Sequence, residues 1–235
     1  MNKNLWLLAL CQGLFLTNNV VFIAINGLVG LQLAPFGWMA TLPVMGYVVG
    51  WALSTPLVAR TQARWGRKVS FQIGLAVAVV SAALCAWAAF SASFWLLCTA
   101  TLVAGYYSAN GGLYRFAAAE LAKPDYREKA VSLVLAGGLL GAVAGPNLAS
   151  ATRTLFPVPF AGAYIALIGV ALLSMLCMAA IRFEAQPVVL NAAGQREQGR
   201  PLKVLMRQPA FIVAIVGAAL GYGVMNLLMA ATPLA

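Results

Sequence analysis

Seven stretches of this chain, at 5–27, 38–59, 69–90, 94–114, 130–150, 160–181 and 210–231, are predominantly apolar and contain no charged residue. A helix rises about 1.5 Å per residue and the hydrocarbon layer is roughly 30 Å thick, so each stretch is long enough to cross it once. Every charge lies between or outside them. The expected fold class is therefore all-α: a polytopic helical membrane bundle. The 63% apolar composition and mean hydropathy of +0.89 agree with a chain whose solvent is lipid.

The basic residues set the expected orientation. With a cytoplasmic N-terminus, the inner segments hold Lys3; Arg60, Arg64, Arg67 and Lys68; Arg115, Lys123, Arg127 and Lys129; and Arg182, Arg196, Arg200, Lys203 and Arg207. Only Arg153 is then left outside, as the positive-inside rule requires. The net charge of +10 follows from this topology and from contact with anionic headgroups, so nucleic acid is not an expected partner. The first apolar run is about 23 residues, longer than the roughly 7 to 15 of a signal-peptide core, and reads as a retained first span. A bacterial cytoplasmic, or inner, membrane is the expected location.

Little in the sequence points to enzyme chemistry, a metal or a cofactor. There is no histidine, the five acidic residues all lie in loops, and Cys11, Cys85, Cys98 and Cys177 fall inside spans as small apolar packing residues.

The connections are unequal. Residues 91–93 join spans three and four and predict a tight helical hairpin. Residues 182–209 contain both charge signs, Gly194, Gly199 and three prolines, and predict a cytoplasmic linker. The expected organisation is a six-helix half over 1–181, the linker over 182–209, and a seventh span over 210–235 that opens a second half. That layout matches transporters made of two six-helix halves, each a three-plus-three inverted repeat.

Such a repeat predicts that spans one and four share a character, and they do: they carry five and seven Asn, Gln, Ser, Thr or Tyr residues, more than the other first-half spans. Polar side chains are costly against lipid and tend to face the bundle interior or a watery cavity. Gln12, Asn19 and Asn26 recur every seven residues, each displaced only about 20° from the last, and form one stripe; Asn18 lies off it. In span four, Tyr107, Asn110 and Tyr114 share a face, with Tyr106 and Asn110 neighbours at i, i+4. Two accounts stand side by side, hydrogen bonds that glue helices together and a solute pathway. Tyr222 and Asn226 of span seven complete the pathway candidates.

Ala59 to Lys68 reads Ala-Arg-Thr-Gln-Ala-Arg-Trp-Gly-Arg-Lys. It resembles the signature loop between spans two and three of the major facilitator superfamily, Gly-x-x-x-Asp-Arg-x-Gly-Arg followed by Arg or Lys, with Arg64, Gly66, Arg67 and Lys68 as the matching residues. The leading glycine is Ala59 here and the acidic position is Ala63. Gly66 can supply a tight turn, and the basic residues can pair with helix ends or carboxylates. In span five, Gly137, Gly141, Gly145 and Pro146 are similar to the family's Gly-x-x-x-Gly-x-x-x-Gly-Pro motif, seen in efflux and antiport members. The family's span-four arginine is absent, with Thr101 at that position.

The resemblance implies a secondary or facilitative transporter that moves a small solute by alternating access. It also implies a parent of twelve spans, five of them beyond residue 235. The tyrosines favour an aromatic or amphipathic solute. No span contains Asp or Glu, so the sequence names no coupling proton or ion. The alternative is a truncated, partner-dependent membrane bundle. A seven-helix receptor is excluded by the N-terminal orientation, and a retinal protein by the lack of a lysine in the last span.

Overall fold

The computed structural model describes residues 3–183, 204 and 206–231, and among them every regular element is a helix. We label these α1 (Lys3–Leu33), α2 (Leu42–Phe90), α3 (Phe94–Gly111), α4 (Tyr114–Leu121), α5 (Arg127–Thr152), α6 (Ala161–Ala180) and α7 (Pro209–Ala231). Short 3-10 turns occupy Gly37–Met39 and Pro124–Tyr126. The chain divides into two compact units, Met1–Phe183 and Glu184–Ala235. Most of the linker expected over 182–209 lies outside the described residues.

By length and composition, four stretches among the described residues can cross a membrane: Lys3–Leu33, Gly37–Phe90, Pro124–Thr152 and Ala161–Ala180. The second contains two crossings. α2 is broken at Gly66, whose φ of 80° and ψ of 170° belong to a region that L side chains avoid. Gly46 and Gly50 before the break pack on Cys98, Thr101 and Leu102 of α3, while Gly74 after it packs on Asn110 of the same helix. Both arms therefore flank α3, and the chain reverses at one residue. The expected turn over 59–68 is shorter than the sequence indicates, because Arg60 to Trp65 contain no helix breaker and extend the first arm.

In lipid, helices gain little from burying apolar surface against one another, so close backbone approach has to hold the bundle. Two crossings provide it. On α1 and α5, a Cβ at Gly13 would lie 2.8 Å from the Gly137 carbonyl oxygen, and one at Gly141 would lie 2.8 Å from the Thr17 nitrogen. On the first arm of α2 and α3, a Cβ at Gly50 would lie 2.9 Å from the Leu102 carbonyl carbon, and one at Gly105 would lie 2.6 Å from the Gly50 Cα. The first crossing joins spans one and five, the second spans four and two. Exchanging the first three spans with the second three turns one contact into the other, as a three-plus-three arrangement demands.

α6 closes the unit against α1 and the second arm of α2, where Gln72 Nε2 donates to the Met175 carbonyl at 3.0 Å. The core between these helices contains Leu8, Cys11, Phe15, Phe71, Leu75, Tyr107 and Tyr114.

Span four ends earlier than expected. α3 stops at Gly111, and Tyr114 opens the separate helix α4. Two consecutive glycines weaken the helix there, and Leu113 N–H bonds to the Asn110 carbonyl at 3.0 Å, three residues back. Gly111 also lies against the Phe15 ring, leaving no room for a Cβ. At the other end of α3, Ser93 N–H donates to the Ala88 carbonyl at 2.9 Å, closing the hairpin with Ala92 at a φ of 50°.

Candidate functional site

α1 is enclosed on most sides, which decides where its polar residues can point. Midway along it, the Asn19 amide donates to the Tyr47 hydroxyl at 2.9 Å and to Ser108 Oγ at 3.5 Å. This buried group joins α1, the first arm of α2 and α3. The Phe22 ring lies 5.0 Å from the Tyr47 ring and covers it. The other stripe residues go elsewhere. Gln12 is buried beside Gly138 of α5. Asn26 donates to its own helix at Phe22 and accepts from the Tyr164 hydroxyl of α6 at 2.8 Å. Asn18 reaches the Leu167 carbonyl of α6 at 3.5 Å.

The candidates of the expected fourth span, now on α3 and α4, also divide. Asn110 donates to the Tyr106 carbonyl at 3.0 Å and accepts from Ser70 Oγ at 2.8 Å, while the Tyr106 hydroxyl donates to Thr61 Oγ1 at 3.1 Å. These two residues fasten α3 to both arms of α2. Tyr107 and Tyr114 are different: each hydroxyl is buried with no hydrogen-bond partner among the described residues. Phe15 stands between them, its ring edge-on to both at 5.4 and 5.9 Å. A buried hydroxyl left unpaired costs about 1–3 kcal/mol, so these are two positions where a polar ligand atom would gain most. Tyr222 lies half-exposed on α7, and the Asn226 side chain is outside the described residues.

At the end of unit 1 that carries the Gly66 turn, Arg67 forms an ion pair with Glu120 of α4 and also donates to Gln62 Oε1 at 3.2 Å. Ala63 offers no carboxylate, and α4 supplies one from a different part of the chain. Lys68 Nζ donates to the Ala179 carbonyl at 2.6 Å, in the last turn of α6, where carbonyls lack helical partners. The Arg64 guanidinium lies 5.4 Å over the Trp65 ring. Asn4 Nδ2 adds a bond to the Arg182 carbonyl at 2.9 Å, bringing the start of α1 to the same end.

Gly137, Gly141 and Gly145 face α1, with Gly145 against Val20, and Pro146 follows inside α5. Sequence reasoning missed Tyr47, Ser108, Tyr164, Ser70, Thr61 and Glu120. Their only advance signal was polarity within or beside an apolar run, and that does not identify a partner.

The Major Facilitator Superfamily model matches residues 5–235. The riboflavin transporter RfnT of Brucella anthropi is 33% identical to this chain, over 99% of the chain and 58% of the relative. The uncharacterized MFS-type transporter YdeG of Bacillus subtilis is 28% identical over 82% of the chain and 40% of its own length. YddS, another uncharacterized MFS-type transporter of that species, is 31% identical over 47% of the chain. The chain thus spans between a quarter and three-fifths of the length of these relatives. A helical membrane bundle with two glycine-lined crossings, matched by the family model over nearly its whole length, belongs to the Major Facilitator Superfamily.

Proposed function

We propose that this chain supplies one wall of a pathway that carries a small aromatic solute of the riboflavin type across the bacterial inner membrane. The carrying observation is the Asn19, Tyr47 and Ser108 cluster, a buried polar group inside a membrane bundle beside the unpaired Tyr107 hydroxyl. Polar groups at that depth are retained where they face a bundle interior or a solute. The riboflavin transporter among the relatives gives the solute class, a flat polar heterocycle. The rings of Phe15, Phe22, Tyr47 and Tyr107 pack on one another in pairs in the same part of the bundle, and aromatic surroundings of that kind suit a flat solute.

In this reading Asn19 and Tyr107 form the pathway side, while Gln12 packs against α5 and Asn18, Asn26, Tyr106 and Asn110 hold helices together. The N-terminus is cytoplasmic, with Arg64, Arg67 and Lys68 fastening the inner surface around Gly66. Residues 1–181 act as one half, 182–209 as the linker, and the seventh span opens the opposing half, so that rocking one half against the other gives alternating access. A second reading, a bundle that works only with a partner, draws on α5. Its Leu139, Leu140 and Val143 are each about 70% exposed, an apolar face that a neighbouring chain could cover as well as lipid could.

The test is uptake of labelled riboflavin by cells that lack their own importer and express this chain within the twelve-span parent that the family resemblance implies. Uptake above the empty-vector level that falls in Asn19→Ala, with insertion unchanged, supports the pathway. Full uptake in Asn19→Ala removes the assignment, and uptake that requires a co-purifying chain favours the partner reading.

A further inference from the structure

At the basic end of unit 1, a cavity of about 550 Å³ opens between the start of α1, the end of α4 and the first turns of α5. Leu5, Leu121 and Leu133 give it apolar walls, and Lys123, Tyr126 and Lys129 give it a polar lining. The Lys129 ammonium lies 5.6 Å over the Tyr126 ring. Neither lysine forms an ion pair among the described residues, and the carboxylates of the same segment, Asp125 and Glu128, do not line the cavity. α5 begins at Arg127, directly after the 3-10 turn Pro124–Tyr126, so the positive end of its helix dipole lies beside the lysines. None of the pathway candidates contributes to it.

Two unpaired cations, a helix N-terminus and a leucine wall at one end of a membrane bundle have the chemistry of a lipid headgroup site. We propose that this cavity binds an anionic phospholipid, with Lys123 and Lys129 on the phosphate and the three leucines along the first part of the acyl chain. Basic pockets between membrane helices select such headgroups because the charge is held where the bilayer interface already concentrates anions. The leucine wall separates this ligand from a free phosphate, which has nothing to place against it. The proposal does not depend on which solute the bundle carries.

The experiment uses the purified full chain in neutral detergent. Thermal midpoints are titrated with dioctanoyl phosphatidylglycerol, dioctanoyl phosphatidylcholine and inorganic phosphate. Phosphatidylglycerol should stabilise at the lowest concentration. Lys123→Gln with Lys129→Gln should weaken that response about 30-fold while leaving the phosphatidylcholine response unchanged. Arg115→Gln, which removes a basic residue that does not line the cavity, should leave both unchanged. Leu133→Trp keeps both lysines, fills the cavity and should also weaken the phosphatidylglycerol response, so the proposal does not rest on the lysine variant folding. Equal responses to the two lipids, an Arg115→Gln loss as large as that of the double variant, or inorganic phosphate matching phosphatidylglycerol would each overturn it.

Discussion

Asn19 and Tyr47 meet midway along α1, where the Asn19 amide donates to the Tyr47 hydroxyl at 2.9 Å and ties the first span to the second. The second acceptor, Ser108 Oγ, is more distant at 3.5 Å, so Tyr47 is the main partner for a buried amide in a lipid-solvated bundle. Tyr47→Phe keeps the ring against Phe22 and removes the hydroxyl that accepts from Asn19. The expected loss is about 0.6–2 kcal/mol, the range for interhelical hydrogen bonds in membranes, read from denaturant titration of the detergent-solubilised chain. An unchanged midpoint would mean that Asn19 finds an equivalent acceptor elsewhere.

The α1 and α5 crossing makes a stronger demand. A Cβ at Gly141 would lie 2.8 Å from the Thr17 nitrogen and closer still to the Gly13 carbonyl, and backbone cannot move aside as a flexible side chain can. Gly141→Ala should therefore force the helices apart and cost about 1–3 kcal/mol, the usual range for overpacking. Gly169, on α6, has nothing within 4 Å of a Cβ, so Gly169→Ala is the matched control and should be neutral or slightly stabilising. Equal thermal midpoints for the two variants would contradict the close crossing.

These two contacts show where the sequence was readable. Charge-free runs of bilayer length leave few folds open, and small residues every four positions on span five do meet a neighbouring backbone. The stripe of Gln12, Asn19 and Asn26 was readable as spacing but not as a shared surface. α1 is surrounded, so each residue finds a different helix: α5, then α2 with α3, then α6. The charged segment 59–68 suggested a loop because its residues are polar, yet polarity does not break a helix and Gly66 alone does. The end of α3 was hidden for a related reason. Gly111 and Gly112 lie inside an apolar run, and only the Phe15 ring packed against Gly111 shows what the small residue accommodates.

Arg67 and Glu120 are 53 residues apart in sequence, and their pairing depends on α4 turning back toward the Gly66 turn. Both side chains are roughly a quarter to a third exposed, so water and salt screen the pair. Glu120→Gln alone should cost no more than about 1 kcal/mol, and less in high salt. Glu120→Arg should cost more, because it sets two guanidinium groups together, and adding Arg67→Glu should restore most of the loss. A double-mutant cycle on thermal midpoints measures that coupling; strict additivity would mean that the pair contributes nothing.

The two unpaired tyrosines separate a structural role from a solute-binding role. Each hydroxyl is buried without a partner among the described residues, so neither contributes a hydrogen bond to the bundle, and burying each carries a desolvation cost. Tyr107→Phe and Tyr114→Phe should therefore leave stability unchanged or raise it by about 1 kcal/mol. Their rings remain, preserving the edge-on contacts with Phe15. If Tyr107 lies on the solute pathway, its hydroxyl gains a partner only when solute is bound. Tyr107→Phe should then lower riboflavin-induced stabilisation or uptake even as the ligand-free midpoint holds or rises. Loss of ligand-free stability would instead show that the hydroxyl already has a partner in the bundle, and the site would have to be sought nearer Asn19 and Ser108.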